Sequence, residues 1–184
     1  GEEKILHHLV VSAIDVMQVR ARMYPGKYSE KSRKLPDLSS SAIIFHWAVR
    51  GEHPQLDLHN IFFSPHYKKE FKAIEKGELS ADPTIYVYVS SKQNPADAPA
   101  GHENWFVMIN TPPNFGQDWD RWVSEQRLAL QQRLSEQLNI PLSDIILHET
   151  VMDPRDIERH TGSVGGAIYG PASNDKWAAL LRQP

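Results

Sequence analysis

Apolar and polar positions along this chain switch repeatedly between a two-residue and a helical period. The run HLVVSAI (8–14) is short, apolar and β-branched, which predicts a buried strand. Asp15 then stands where it can cap a short helix, DVMQVRARMY, that ends before Pro25-Gly26. Residues 26–37 are polar and basic and predict a surface connection. In SSSAIIFHWAV (39–49), Ile43, Phe45, Trp47 and Val49 share one face and Ala42, Ile44, His46 and Ala48 the other. Both faces are mostly apolar, so this strand is expected to be covered on both sides.

Farther along, LHNIFF (58–63) predicts a strand, and Ser64-Pro65 supplies an N-cap with proline at the first helical position. The helix that follows puts Tyr67, Phe71 and Ile74 on one stripe and ends at Gly77. TIYVYVS (84–90) alternates Tyr86 and Tyr88 against Ile85, Val87 and Val89. After a Pro- and Gly-bearing loop, NWFVMIN (104–110) is expected to pair with it in a long-looped hairpin. Asp118 caps the longest helix, whose apolar stripe is Trp119, Val123, Leu130, Leu134 and Leu138, opposite Arg121, Glu125 and Gln132. A strand at 145–152, a helix opened by Asp153-Pro154, a glycine-rich stretch and a helical NDKWAALLR complete the chain. The mixture predicts an α+β fold: a mixed, largely antiparallel sheet backed by one long and several short helices.

Length and composition narrow the function. A chain of 184 residues fits a single domain with a sizeable core. A formal charge of −3 and a pI near 6.3 provide no basic field for nucleic acid, which is set aside as a partner. The absence of cysteine removes disulfides, thiol nucleophiles and cysteine metal sites. No apolar run reaches the ~20 residues that span a bilayer. The chain lacks an initial methionine and stops at LLRQP just after a helical pattern, so both ends are expected to be cut from a longer chain.

The stretch TGSVGGAIYG (161–170) holds four of the ten glycines, but their spacing is neither G-x-G-x-x-G after a strand nor a P-loop. Glycine there is expected to serve close backbone approach or positive φ. Nine histidines show no local metal-ligand spacing, and no metal site is expected. Ser39-Ser40-Ser41 lacks a nucleophile elbow, and no carboxylate pair is marked for acid–base work, so the catalytic residues stay unassigned. A surplus of rings remains on the strands: Phe45, Trp47, Phe62, Phe63, Tyr86, Tyr88, Trp105 and Phe106. They read either as core or as the wall of a site for a long apolar ligand.

Several segments together resemble one family. LSSSAIIFHWAVRGEHPQLDLHNIFFSPHYKKEF, DPTIYVYVSSKQNPADAPAGHENWFVMINTPP and DPRDIERHTGSVGGAIYG resemble the carotenoid (phytoene) desaturases, FAD-dependent oxidoreductases of carotenoid biosynthesis. VVSAID resembles the family's V-V-S-N-A-D, departing at Ala13 and Ile14. The LDLHNIFFS wording is similar to the branch acting on acyclic or hydroxylated carotenoids. The resemblance implies a long polyene substrate and FAD in the full-length flavoprotein, with no cofactor held by this part. It implies that residues 1–25 form the edge of a flavin domain and 26–184 the substrate-binding part, inactive alone. It also implies a cytoplasmic protein peripheral to the membrane, with the basic loop 27–34 as a contact candidate, and exposed surface through which the excised part self-associates. The substrate-binding candidates are Phe45, Trp47, Tyr86, Gly165, Gly166 and Tyr169, the strand members depending on register. The competing readings are a non-catalytic apolar-ligand or interaction module and a retinol-saturase-like enzyme.

Overall fold

The computed structural model describes residues 8–23 and 38–170. The elements are α1 (Val16–Met23), β1 (Ser41–Arg50), β2 (His59–Phe62), α2 (Tyr67–Glu75), β3 (Ile85–Val89) and β4 (His102–Thr111), then α3 (Trp119–Leu138), α4 (Leu142–Ile145), β5 (Ile146–Met152) and α5 (Pro154–Thr161). Five strands form one sheet in the order β2-β3-β4-β1-β5, every neighbouring pair antiparallel. The α+β expectation and the β3–β4 hairpin are both met.

Alternation decides which side of the sheet becomes core. Ile43, Phe45, Trp47 and Val49 of β1, Ile85, Val87 and Val89 of β3, and Trp105, Val107 and Ile109 of β4 all point one way and are buried. The stripe Trp119, Val123, Leu130 and Leu134 of α3 joins the same cluster, while Arg121 and Glu125 face water. Each of these large side chains gains roughly 1.5–3 kcal/mol from its burial. Asp118 accepts a hydrogen bond from the Arg121 N–H, capping α3, and Asp153 and Asp156 form a reciprocal capping box on α5.

Charged groups brace this layer. Glu149 of β5 accepts from the Trp47 indole at 2.7 Å and from Arg127 of α3 at 2.7 Å. The Arg127 guanidinium lies 5.8 Å from the Phe45 ring centroid. Arg133 of α3 donates to Asp82 and to the carbonyls of Pro83 and Phe63, tying the helix to the β2 edge. Glu103 is buried between Lys92 at 2.7 Å, the His53 N–H at 3.0 Å, the Trp105 indole at 2.9 Å and the His53 ring at 3.0 Å.

Four expectations need correction. Residues 8–14 form no strand: they pair with nothing among the described residues, and Leu9, Val10 and Val11 are exposed. A strand needs a neighbouring ladder, which local composition cannot supply. The second helix begins at Tyr67, not Pro65, because the Ser64 N–H is held by Thr84 Oγ1 while its own hydroxyl accepts from the His66 N–H. β1 is covered on both faces only in its first half, where Ala42 is buried and Ile44 half-buried; farther along the second face opens and His46 and Ala48 are exposed. The last strand starts at Ile146, after the single helical turn of α4. The basic connection 26–37 and the helical NDKWAALLR lie outside the described residues.

Burial alone would raise the Glu103 pKa. The bonds from Lys92, the His53 N–H, Trp105 and the His53 ring outweigh it and hold the carboxyl below the usual range. A depressed carboxyl stabilises the fold above its unfolded pKa, about 4.3, and loses that contribution as pH falls through the folded value. Glu103→Gln is therefore expected to lower stability by about 3 kcal/mol at pH 7 in urea unfolding. The gap to the parent should close toward strongly acidic pH; a gap independent of pH would refute the assignment.

Candidate functional site

The face of the sheet turned away from α3 follows from the same alternation. Directly opposed residues in an antiparallel pair share a face, so the register defines rows crossing all five strands. One row reads Ile61, Tyr86, Met108, Ile44, Met152, and is apolar apart from one phenol. The next reads His59, Tyr88, Phe106, His46, Thr150. Four interstrand gaps make each row about 19 Å long.

The rings on these rows touch. His59 stacks on Tyr88 with centroids 5.1 Å apart, and its Nδ1 lies 2.7 Å from the Tyr86 hydroxyl. Tyr86 meets Phe106 edge-on at 6.1 Å, and Phe106 meets His46 edge-on at 5.3 Å. Beside this ridge lies a hollow of about 410 Å³ lined by His46, Ala48, Tyr88, Asn104, Phe106, His148 and Thr150. Asn104 is fixed there by a bond to Ser90 Oγ at 2.7 Å. Burial, and secondarily the Tyr88 phenol, push the Tyr86 pKa up. At neutral pH the ring is therefore an uncharged phenol that can face hydrocarbon or share one hydrogen bond.

The register separates the candidates read from sequence. Tyr86 stands on the open face, whereas the Phe45 and Trp47 side chains are buried in the core shared with α3 on the opposite side, Trp47 still bordering the hollow. The sign was in the alternation: the β1 face carrying His46 and Ala48 is the less apolar one. Phe106 stood among the surplus rings of the sequence, but His59, His46 and Met108 did not stand out as wall residues, because only cross-strand register brings them into rows with Tyr86.

Gly165 and Gly166 are buried at the end of the sheet, and Tyr169 beside them is 74 % exposed. The Gly165 N–H donates to Glu158, the Gly166 N–H to the Ser163 carbonyl, and the Ala167 N–H to the Val164 carbonyl. These three amides are already bonded within the chain and form no cradle for a phosphate. Carbonyls of the same stretch bind outward: Gly165 accepts from the Asn114 N–H at 2.8 Å and Gly166 from Ser41 Oγ at 2.6 Å. A Cβ on Gly166 would stand 2.2 Å from the Pro154 carbonyl oxygen, and its φ is +66°. Close backbone packing onto α5 explains the glycine. Among the described residues, no group of three or more His, Asp or Glu could hold a metal ion, and no helix is long and apolar enough to cross a membrane.

A scan of protein-family models finds none that matches. Curated relatives do match. The chain is 49 % identical over 178 residues to 1-hydroxycarotenoid 3,4-desaturase of a Flavobacterium species, covering 96 % of this chain and 36 % of that protein. It is 33 % identical over 158 residues to 4,4'-diaponeurosporene oxygenase of Staphylococcus haemolyticus, covering 83 % of this chain and 31 % of the relative. Phytoene desaturase of Neurospora crassa is 32 % identical over 189 residues, covering 96 % of this chain and 31 % of the relative. The chain thus spans about a third of the length of these relatives.

Left-handed strain alone costs an alanine 1–2 kcal/mol; the backbone collision makes Gly166→Ala worse, by more than about 3 kcal/mol in chemical unfolding. A loss under about 1 kcal/mol would show that the stretch is not held against α5. In an ultraviolet titration, Tyr86→Phe should remove a phenol ionising above the ordinary value of about 10. Loss of a phenol titrating at or below that value would contradict the open-face environment described for Tyr86.

Proposed function

Since this chain belongs to the carotenoid desaturase family of oxidoreductases, we propose that the open face of its sheet is the substrate wall of a carotenoid-desaturating enzyme. The observation that carries this reading is the row Ile61, Tyr86, Met108, Ile44, Met152: a stripe, apolar apart from the Tyr86 phenol, that crosses five strands on the side facing away from α3. An extended polyene, from phytoene or an acyclic hydroxylated carotenoid, lies along such a stripe and meets flat rings and flexible methionines.

Among the described residues, no metal-binding constellation and no carboxylate stands in the two rows of this face. The work of these residues is to bind, to orient and to keep water away from the hydrocarbon. FAD, carried by the complete protein, supplies the oxidation when bound. The hollow beside the ridge, with His46, His148, Thr150 and Asn104, gives a polar end group its hydrogen-bonding partners. Residues 38–170 thus form the substrate-binding part, and the whole protein works at the membrane in which such a substrate dissolves.

An acyclic carotenoid offered to the chain from detergent micelles should acquire an induced circular dichroism band. Met108→Lys should abolish it by placing a charge in the stripe, whereas Leu128→Ser, on the exposed side of α3, should leave it intact. Equal signals from both variants would remove the stripe from the binding site. Mass analysis of the complete enzyme's product should show the loss of two hydrogens; an added oxygen would replace desaturation with oxygenation.

A further inference from the structure

The edge of the sheet at β2 carries a second surface, distinct from the open face in composition. Ile61, Phe63 and Tyr67 are 54 %, 65 % and 50 % exposed. Phe63 meets Tyr67 at 6.4 Å and Tyr67 meets Phe71 at 4.8 Å, a continuous cluster of three rings. On α2, Glu70 and Ile74 are turned inward and buried, with Thr84 Oγ1 donating to Glu70 at 2.7 Å. This anchor fixes the helix's rotation. At 100° per residue, Tyr67 and Phe71 then lie along one flank of the buried stripe, while Lys68, Lys69, Lys72 and Lys76 fan across the outer side. All four lysines are exposed, and no ion pair among the described residues uses them. Glu75 is the one exposed acid within the helix.

From this geometry we infer that α2 and the Phe63–Tyr67 cluster are the surface by which the protein docks on an anionic lipid bilayer. The chemistry matches on two counts. Exposed Phe and Tyr insert at the headgroup level, where one end of the ring is apolar and the other wet. Lysines on the adjoining face meet anionic headgroups, each contributing about 1 kcal/mol or fivefold in partitioning. Four like charges on nine residues of helix and its cap stand out in a chain whose net charge is −3. Ile61 belongs both to this edge and to the apolar row that begins at β2. On the polyene reading above, the patch therefore sets the start of the row at the lipid surface. The docking itself does not depend on that reading.

Sedimentation of the 184-residue chain with vesicles, without carotenoid, tests it. Binding is expected to vesicles of mixed phosphatidylcholine and phosphatidylglycerol, and to be weak to pure phosphatidylcholine. Lys68→Glu with Lys72→Glu should lower partitioning at least about tenfold, and Phe63→Ser with Tyr67→Ser should abolish the part that survives high salt. Arg121→Glu, an equally exposed charge reversal on α3, should change nothing, and circular dichroism should show all variants folded. Equal binding to both vesicle types, or an Arg121→Glu loss matching that of the lysine pair, would overturn the inference. So would a chain that ignores vesicles but whose self-association the aromatic variants abolish, since the patch would then be a contact between copies. If vesicles bind as expected but no induced dichroism appears in detergent, the docking surface stands and the polyene wall falls.

Discussion

One long amphipathic helix covering one side of a five-stranded sheet is the constraint on which the rest depends. Side chains alternate along β1, β3 and β4, so seating α3 on Phe45, Trp47, Val87 and Trp105 forces Tyr86, Phe106, Met108 and His46 onto the other face. A slip of one residue in β1 would exchange the two sets. Glu149 guards against that slip, since it reaches both the Trp47 indole and Arg127 only in the observed register. The fold thus fixes its greasy outer surface by packing its inner one.

The division of polar groups follows the same logic. Three carboxylates beneath or beside the covered side have their partners: Glu103 four donors, Glu149 two, Asp153 the start of α5. On the open side the polar atoms are carried by neutral groups, such as the Tyr86 phenol and the Asn104 amide, that are tied to their neighbours by hydrogen bonds. A surface with apolar bodies and few fixed charges suits a ligand that has almost no polarity of its own.

Much of this was legible in the residues. Caps at Asp118 and Asp153, the β3–β4 hairpin and the α3 stripe were readable because each is local, set by neighbours within a few positions. The family was readable because several long segments agreed at once. The open face, proposed above as the substrate wall, was only half readable: alternation showed that β3 has two sides, but not which one α3 would cover. That choice depends on tertiary contact, and it moved Phe45 and Trp47 to the core while promoting His59 and Phe106. The strand expected at 8–14 failed for a related reason, since apolar β-branched composition says nothing about whether a partner ladder is present.

The glycine stretch is hooked to the sheet across great sequence distance: the Ser41–Gly166 bond joins positions 125 residues apart. The Ile168 N–H reaches the Ser40 carbonyl, and the Ser39 N–H the Gly170 carbonyl. Closing so large a loop gains nothing until β1, β4 and β5 have already assembled, so the latch forms late. A nascent chain must hold most of its strands together before the segment that seals their end can engage, leaving the sheet terminus open during that interval.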